Sequence, residues 1–230
     1  MTKKTKCLKM TVAVLSLVLV MCLSVAGTLA YLQVKTEPVV NTFAPSNIGL
    51  TLVETATEGG STTANTYKMV PGVDIAKDPK VTVTADIDCY VFVEVVESDN
   101  FDDYMTYAIA SNWKLLNTTT GKKTEITDQT ELNGTYVLVH EVLADEAKDS
   151  EAFYVLAGKG DAELKNGYVT VKPDVSKDKM KDFYGADGIT VEADAVLPKL
   201  TFTAYAIQKE GFTNPALAWA EAKEQQNANG

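Results

Sequence analysis

The chain has 230 residues, 46% hydrophobic, 8% aromatic and 23% charged, enough apolar material for one or two packed domains and too little charge bias for a disordered tail. All 21 basic side chains are lysine, none is arginine, and 31 acids bring the net charge to −10; nucleic-acid binding, which leans on guanidinium forks and a positive field, is not expected. The single histidine, His140, would have to serve any histidine metal site or Ser-His-Asp triad, so the chain is not expected to be an enzyme.

Residues 1–30 open with Lys3, Lys4, Lys6 and Lys9 and no acid, continue as an apolar run from Met10 to Ala26, and close on Gly27-Thr28-Leu29-Ala30. A basic lead, an apolar stretch and small residues where a signal peptidase inspects the chain read as a secretory signal peptide cut between Ala30 and Tyr31. The alternative is an uncleaved anchor, because Met10 to Leu32 is long enough to span a bilayer. Met21 before Cys22 does not suit a lipoprotein. Cleavage would leave 200 residues with 17 lysines and 31 acids, a net charge of −14. It would also remove Cys7 and Cys22, leaving Cys89 without a disulfide partner and most simply a small buried hydrophobe.

Behind the cut, residues 31–43 read Tyr-Leu-Gln-Val-Lys-Thr-Glu-Pro-Val-Val-Asn-Thr-Phe. Leu32 and Val34 alternate with Gln33 and Lys35, and Pro38 keeps the stretch out of an interior strand. It can therefore be extended without belonging to its own sheet, and Leu32, Val34, Val39 and Val40 are the side chains that a donated strand would bury. Strand addition repeated head to tail makes an open filament. The competing reading is an ordinary first strand or a frayed terminus.

Residues 44–213 read as one domain of short strands. Ile48, Leu50 and Leu52 alternate with small or polar neighbours, as do Val81, Val83 and Ala85, the two-residue period of a half-buried strand. Residues 89–96 and 200–207 are apolar on both faces, as expected of central strands covered on two sides. Further strands are predicted at 66–70, 113–116, 136–142, 152–157, 168–172 and 189–193. Asn133-Gly134 and Asn166-Gly167 supply the positive φ of tight hairpins, and Gly59-Gly60-Ser61, Pro71-Gly72, Thr120-Gly121 and Asp187-Gly188 mark other reversals. Many short strands at this spacing predict an all-β antiparallel sandwich. Residues 173–186 look helical, with Asp174, Asp178 and Asp182 interleaved with lysines as a solvated insertion. Residues 214–230 form a C-terminal helix and tail: Asn214 caps it, Pro215 takes the first helical position, and Leu217 or Trp219 packs on the sheets.

Two fragments invite chemistry. His140-Glu141-Val142-Leu143-Ala144 begins like the zinc-protease signature, yet Ala144 stands where the second imidazole is needed. The surrounding alternation predicts a strand that throws His140 and Glu141 to opposite faces. Asp99, Asp102 and Asp103, with Glu97, form an acidic knot that a calcium ion could favour, but its spacing fits no calcium loop. No cofactor is expected, and calcium at the knot is the alternative.

Certain of these residues carry a resemblance. The lysine-rich start with Gly27-Thr28-Leu29-Ala30-Tyr31-Leu32, then Asn41-Thr-Phe-Ala-Pro-Ser-Asn-Ile-Gly-Leu-Thr-Leu52, resembles proteins with a SipW-dependent type of signal peptide, the TasA and camelysin (CalY) family of Gram-positive bacteria. Pro71-Gly72, Asp88-Cys-Tyr-Val-Phe-Val-Glu94 and Leu200-Thr-Phe-Thr-Ala-Tyr-Ala-Ile-Gln208 are similar to its later strands, whereas residues 98–190 carry no likeness. Leu29 and Leu32 replace aromatics common around that cleavage site. The resemblance implies an exported jelly-roll sandwich of the extracellular matrix or cell surface. It assembles into biofilm fibres with copies of itself or related matrix proteins, the freed N-terminal segment entering the next subunit. Camelysin-like members also carry a metallopeptidase label, for which this sequence offers no zinc motif. Two alternatives to the structural role are an exported metallopeptidase using His140 and Glu141, and a monomeric surface module binding a glycan or protein through exposed tyrosines.

Overall fold

The computed structural model describes residues 6, 8–20, 47–57, 60–127, 132–160, 162–184 and 191–229. The chain divides into two units, Met1–Ala44 and Pro45–Gly230. In the first, residues 8–20 form a helix, α1, with Leu8, Met10, Leu15 and Leu19 exposed. No helix among the described residues is long and apolar enough to cross a membrane. Ala30, Tyr31, Leu32, Val34, Val39 and Val40, and with them the cleavage and strand-donation expectations, lie outside the described residues.

The second unit is mostly antiparallel β-sheet closed by a helix. Its strands are β1 (Ile48–Val53), β2 (Asp74–Ala76), β3 (Lys80–Ala85), β4 (Cys89–Glu97), β5 (Met105–Tyr107), β6 (Lys114–Leu116), β7 (Lys123–Glu125), β8 (Thr135–Val142), β9 (Glu151–Tyr154), β10 (Tyr168–Val171) and β11 (Leu200–Gln208). Short helices α2 (Phe101–Tyr104) and α3 (Ala144–Ala147) interrupt them, and α4 (Pro215–Asn229) follows β11. The strands form three sheets, ordered β1-β3-β9, β2-β10-β5 and β11-β4-β8-β6-β7.

β4 organises the unit. It pairs β11 on one side, with Val93 opposite Ala204, and β8 on the other, with Val93 opposite Leu138. Cys89, Val91, Val93 and Val95 point into the larger core with Val81, Val83, Leu138, Val155 and Val171. Tyr90 and Phe92 point the other way and meet Val137, Val139, Tyr205, Ile207 and, from α4, Ala218, Trp219 and Ala222. An amphipathic strand alternates because one face is wet; β4 does not, because a helix covers its second face. Asn214 caps that helix: its Oδ1 accepts from the backbone N–H of Ala216 at 2.9 Å and of Leu217 at 3.2 Å. Trp219 packs inward while Leu217 is 53% exposed, which settles the expected either-or.

Several expectations need correction. β11 is apolar on both faces but stands at the edge of its sheet among the described residues. Its two-sided character arises from α4 on one face and from Leu200, Phe202, Ala204 and Ala206 against the larger core on the other. Residues 66–70 form no strand; they belong to the loop between β1 and β2. In place of the helix expected at 173–186, residues 173–184 are turns and one 3₁₀ segment, Lys181–Phe183; 185 and 186 lie outside the described residues. A charge ladder without an apolar stripe gives a helix little to bury; here Val175 and Phe183 are buried and Met180 packs partly against the same core, without forming a continuous stripe. Val191 makes a single bridge to Tyr184 in place of a strand at 189–193, of which 189 and 190 lie outside the described residues. β2, β5 and β7, three residues each, went unpredicted because so short a run shows no period.

Gly134 and Gly167 do adopt positive φ, +65° and +143°, but neither closes a hairpin between paired strands. Gly134 extends the β4–β8 ladder, taking the N–H of Glu97 on its carbonyl at 2.9 Å. Gly167 lies so close to Lys77 that a Cβ there would stand 2.3 Å from the Lys77 carbonyl oxygen. That tight approach holds the end of β2 in place through a 3.1 Å bond from the Lys77 N–H to the Gly167 carbonyl.

Candidate functional site

His140 and Glu141 sit next to each other on β8 and, as the strand period requires, serve opposite faces. The His140 ring lies against Phe153 at 4.4 Å and Trp113 at 5.8 Å, and its Nδ1 is 2.7 Å from the Asn112 carbonyl oxygen. Glu141 is engaged on the far face by Lys209, 2.6 Å away, and by Lys123. Burial, together with the positive charges of Lys209 and Lys114, lowers the Lys123 ammonium below its usual range. The pair therefore does not converge on a common point. Among the described residues no group of three or more His, Cys, Asp or Glu side chains gathers as metal ligands.

The acidic knot separates into an exposed rim and a buried centre. Asp99, Asp102 and Asp103 are exposed, the latter two in the first turn of α2. Lysines approach the same stretch through the backbone: Lys179 Nζ donates to the Asp103 carbonyl oxygen at 2.6 Å, and Lys172 to that of Asp102. Glu97, by contrast, is only 6% exposed. Its carboxylate accepts the Tyr107 hydroxyl and the Gly134 N–H, the latter at 3.1 Å, and the Tyr136 hydroxyl bonds that of Tyr107. Burial raises the Glu97 carboxyl, with Asp102 adding to the rise, while the Tyr107 and Gly134 bonds oppose it. Burial likewise pushes both tyrosines above the ordinary phenol range. In the sequence Glu97 groups with the exposed carboxylates of the knot. The signal that places it inside is its step of two from Val95, in phase with the inward residues of β4.

An open groove of about 630 Å³ runs between β6, β8 and α4, lined by Asn117, Thr119, Lys122, Thr135, Trp219 and Lys223 among others. Across it Lys223 Nζ meets Glu94 at 2.5 Å. The Trp219 ring is turned edgewise onto Phe92 and Tyr205, with centroids 5.5 and 4.8 Å apart. It is 6% exposed, so it offers a sugar no stacking face.

The remaining feature is a sheet rim. β11 runs for nine residues, Leu-Thr-Phe-Thr-Ala-Tyr-Ala-Ile-Gln, with no charge and no proline, and pairs on one side alone among the described residues. β1, close to it, is likewise uncharged and, among the described residues, paired only to β3. The opposite edge of the same sheet is different: β7 is three exposed residues, Lys123, Thr124 and Glu125. Sheets ordinarily blunt their edges with charge, proline or brevity; β7 follows that rule and β11 does not.

No protein-family model, no curated protein and no solved structure matches this chain.

Proposed function

We propose that the chain is the subunit of an exported fibre, a jelly-roll-like β-sandwich that assembles in the extracellular matrix or on the cell surface by β-strand donation. The observation that carries this reading is the unguarded rim of β11, nine residues long and uncharged, set beside the equally unguarded β1. Main-chain groups on such a rim are a template for an incoming strand, which main-chain hydrogen bonds hold and alternate side chains select. In this reading residues 31–43, freed when a signal peptidase cuts between Ala30 and Tyr31, supply that strand to the next copy or to a related matrix protein. Leu32, Val34, Val39 and Val40 are its buried side chains. The resemblance of the chain's head and closing strand to the TasA and camelysin family supports the same conclusion.

Two variants of the chain beginning at Tyr31 test it. Deleting 31–43 removes the donor, and Thr201→Lys places a charge at an exposed position of the acceptor rim. Each is expected to leave a folded monomer where the parent sediments as a concentration-dependent polymer and appears fibrous by electron microscopy. Fibres of undiminished length and yield from the deletion variant would end the strand-donation reading.

A further inference from the structure

The loop that follows β1 folds back to bring three side chains onto one point, and nothing in the assembly reading uses them. Glu54 comes directly after β1, Asn65 lies in the loop, and Lys77 comes directly after β2. Lys77 Nζ stands 2.7 Å from Glu54 Oε1 and 2.9 Å from Oε2. Asn65 Nδ2 donates to the same Oε2 at 3.4 Å and to the Thr55 carbonyl oxygen at 3.3 Å. One carboxylate therefore contacts both an amine and a carboxamide.

The surroundings are those of a reaction site more than of a surface ion pair. The Lys77 and Glu54 side chains are only 12% and 14% exposed. The rings of Tyr67 and Phe202 stand 5.4 and 5.5 Å from the ammonium, and the Tyr67 hydroxyl reaches Glu54 Oε2 at 3.4 Å. Burial and the Glu54 charge raise that hydroxyl above its usual range, so it stays protonated and remains a donor. On the other side, Asn65 Oδ1 accepts two bonds from one residue, the Thr57 N–H at 2.9 Å and the Thr57 hydroxyl at 3.1 Å. Paired donors on a carboxamide oxygen are what a tetrahedral intermediate requires. Gly60 closes over the amide so tightly that a Cβ there would come within 2.3 Å of Oδ1.

We propose that Lys77 and Asn65 are joined by an intramolecular isopeptide bond, formed in the folded chain with Glu54 as the proton carrier. Glu54 takes a proton from Nζ, and in a water-poor pocket this transfer replaces two charges by none. The freed amine attacks Asn65 Cγ, and Thr57 holds the negative charge that develops on Oδ1. Collapse of the intermediate breaks the Cγ–Nδ2 bond as Glu54 returns the first proton to Nδ2. Glu54 then takes the second proton from Nζ and passes it to the departing ammonia, so the Nζ–Cγ amide replaces the Cγ–Nδ2 bond, nitrogen leaves as ammonium, and the carboxylate is regenerated. No oxidant or co-reactant is needed.

The test is tryptic mapping and intact-mass measurement of the folded full chain. The chain is expected to be lighter than its sequence by one ammonia. A branched peptide should join the stretch ending at Lys68 to residues 69–80, uncut after Lys77. Glu54→Gln should restore the full mass and release Lys77 and Asn65 in separate linear peptides; Lys77→Arg, which keeps the charge but lacks the nucleophile, should do the same if the first variant does not fold. A cyclic imide at Asn65 would also shed ammonia, so the branched peptide decides. Lys77 recovered in a linear peptide from the folded parent overturns the proposal, whatever the total mass.

Discussion

Glu97 is where a single side chain has the most leverage on this fold. Its carboxyl is raised by burial and by Asp102, so the folded state holds its proton more tightly than the unfolded chain does. The sign follows: the contribution of this group to stability is fully present below the unfolded value, about 4.3, and is lost as pH rises through the higher folded value. Glu97→Gln removes the titration. The denaturant midpoint of the parent, measured against this variant, should therefore fall between about pH 4 and about pH 7. A gap that stays constant with pH would show that the carboxylate is fully compensated by Tyr107 and Gly134. Residue roles were legible to the extent that phase along a strand decides them. Cys89 is fully buried as expected, its thiol pushed up to about 11 by burial and then by Asp88. His140 and Glu141 fall on opposite faces as the alternation of β8 requires. Glu97 escaped because a charge at a strand end reads as loop unless the phase of the preceding valines is carried one step further.

Among the elements, α4 shows how much a cover contributes. Trp219 seals the second face of β4 against Phe92 and Tyr205. Trp219→Ala should cost about 3–5 kcal/mol, read from the urea midpoint, by lost transfer energy and the cavity left behind. Leu217→Ala, on the exposed side of the same helix, should stay within about 0.5 kcal/mol. Equal losses at both sites would mean that the helix packs in another rotation. This helix was legible because a cap, a first-turn proline and apolar spacing agree; β4, β8 and β11 were legible because length and β-branched content agree. Residues 66–70 were misleading: Tyr67 is drawn to Glu54 and Lys77 instead of a ladder, a tertiary demand with no local sign. The Asp/Lys run at 173–184 failed in the opposite way, since its four-residue spacing organises charge without giving a helix a buried side.

For the whole molecule, charge opposes association while the sheet edge favours it. Subunits beginning at Tyr31, with 17 lysines and 31 acids and so a net charge of −14, repel one another beyond contact, and salt screens that repulsion, with a Debye length of about 10 Å at 0.1 M. Assembly of the chain beginning at Tyr31, followed by light scattering, should quicken with added sodium chloride and as falling pH protonates its carboxylates and reduces the negative charge. Rates insensitive to both would place the barrier in a slow conformational step. The arrangement of the sheets was the least legible feature. That β4 lies between β8 and β11 depends on pairings across many tens of residues, and periodicity records which face a strand buries without recording its neighbour.

The contrast between β7 and β11 limits the kinds of assembly open to this molecule. A body with one receptive flank and one refractory flank cannot lengthen by laying flank on flank, because two receptive flanks brought together form a closed twin with nothing left to offer. Continued elongation demands a second, physically separate coupling piece on every copy, and its removal should convert a polymer into particles of fixed size.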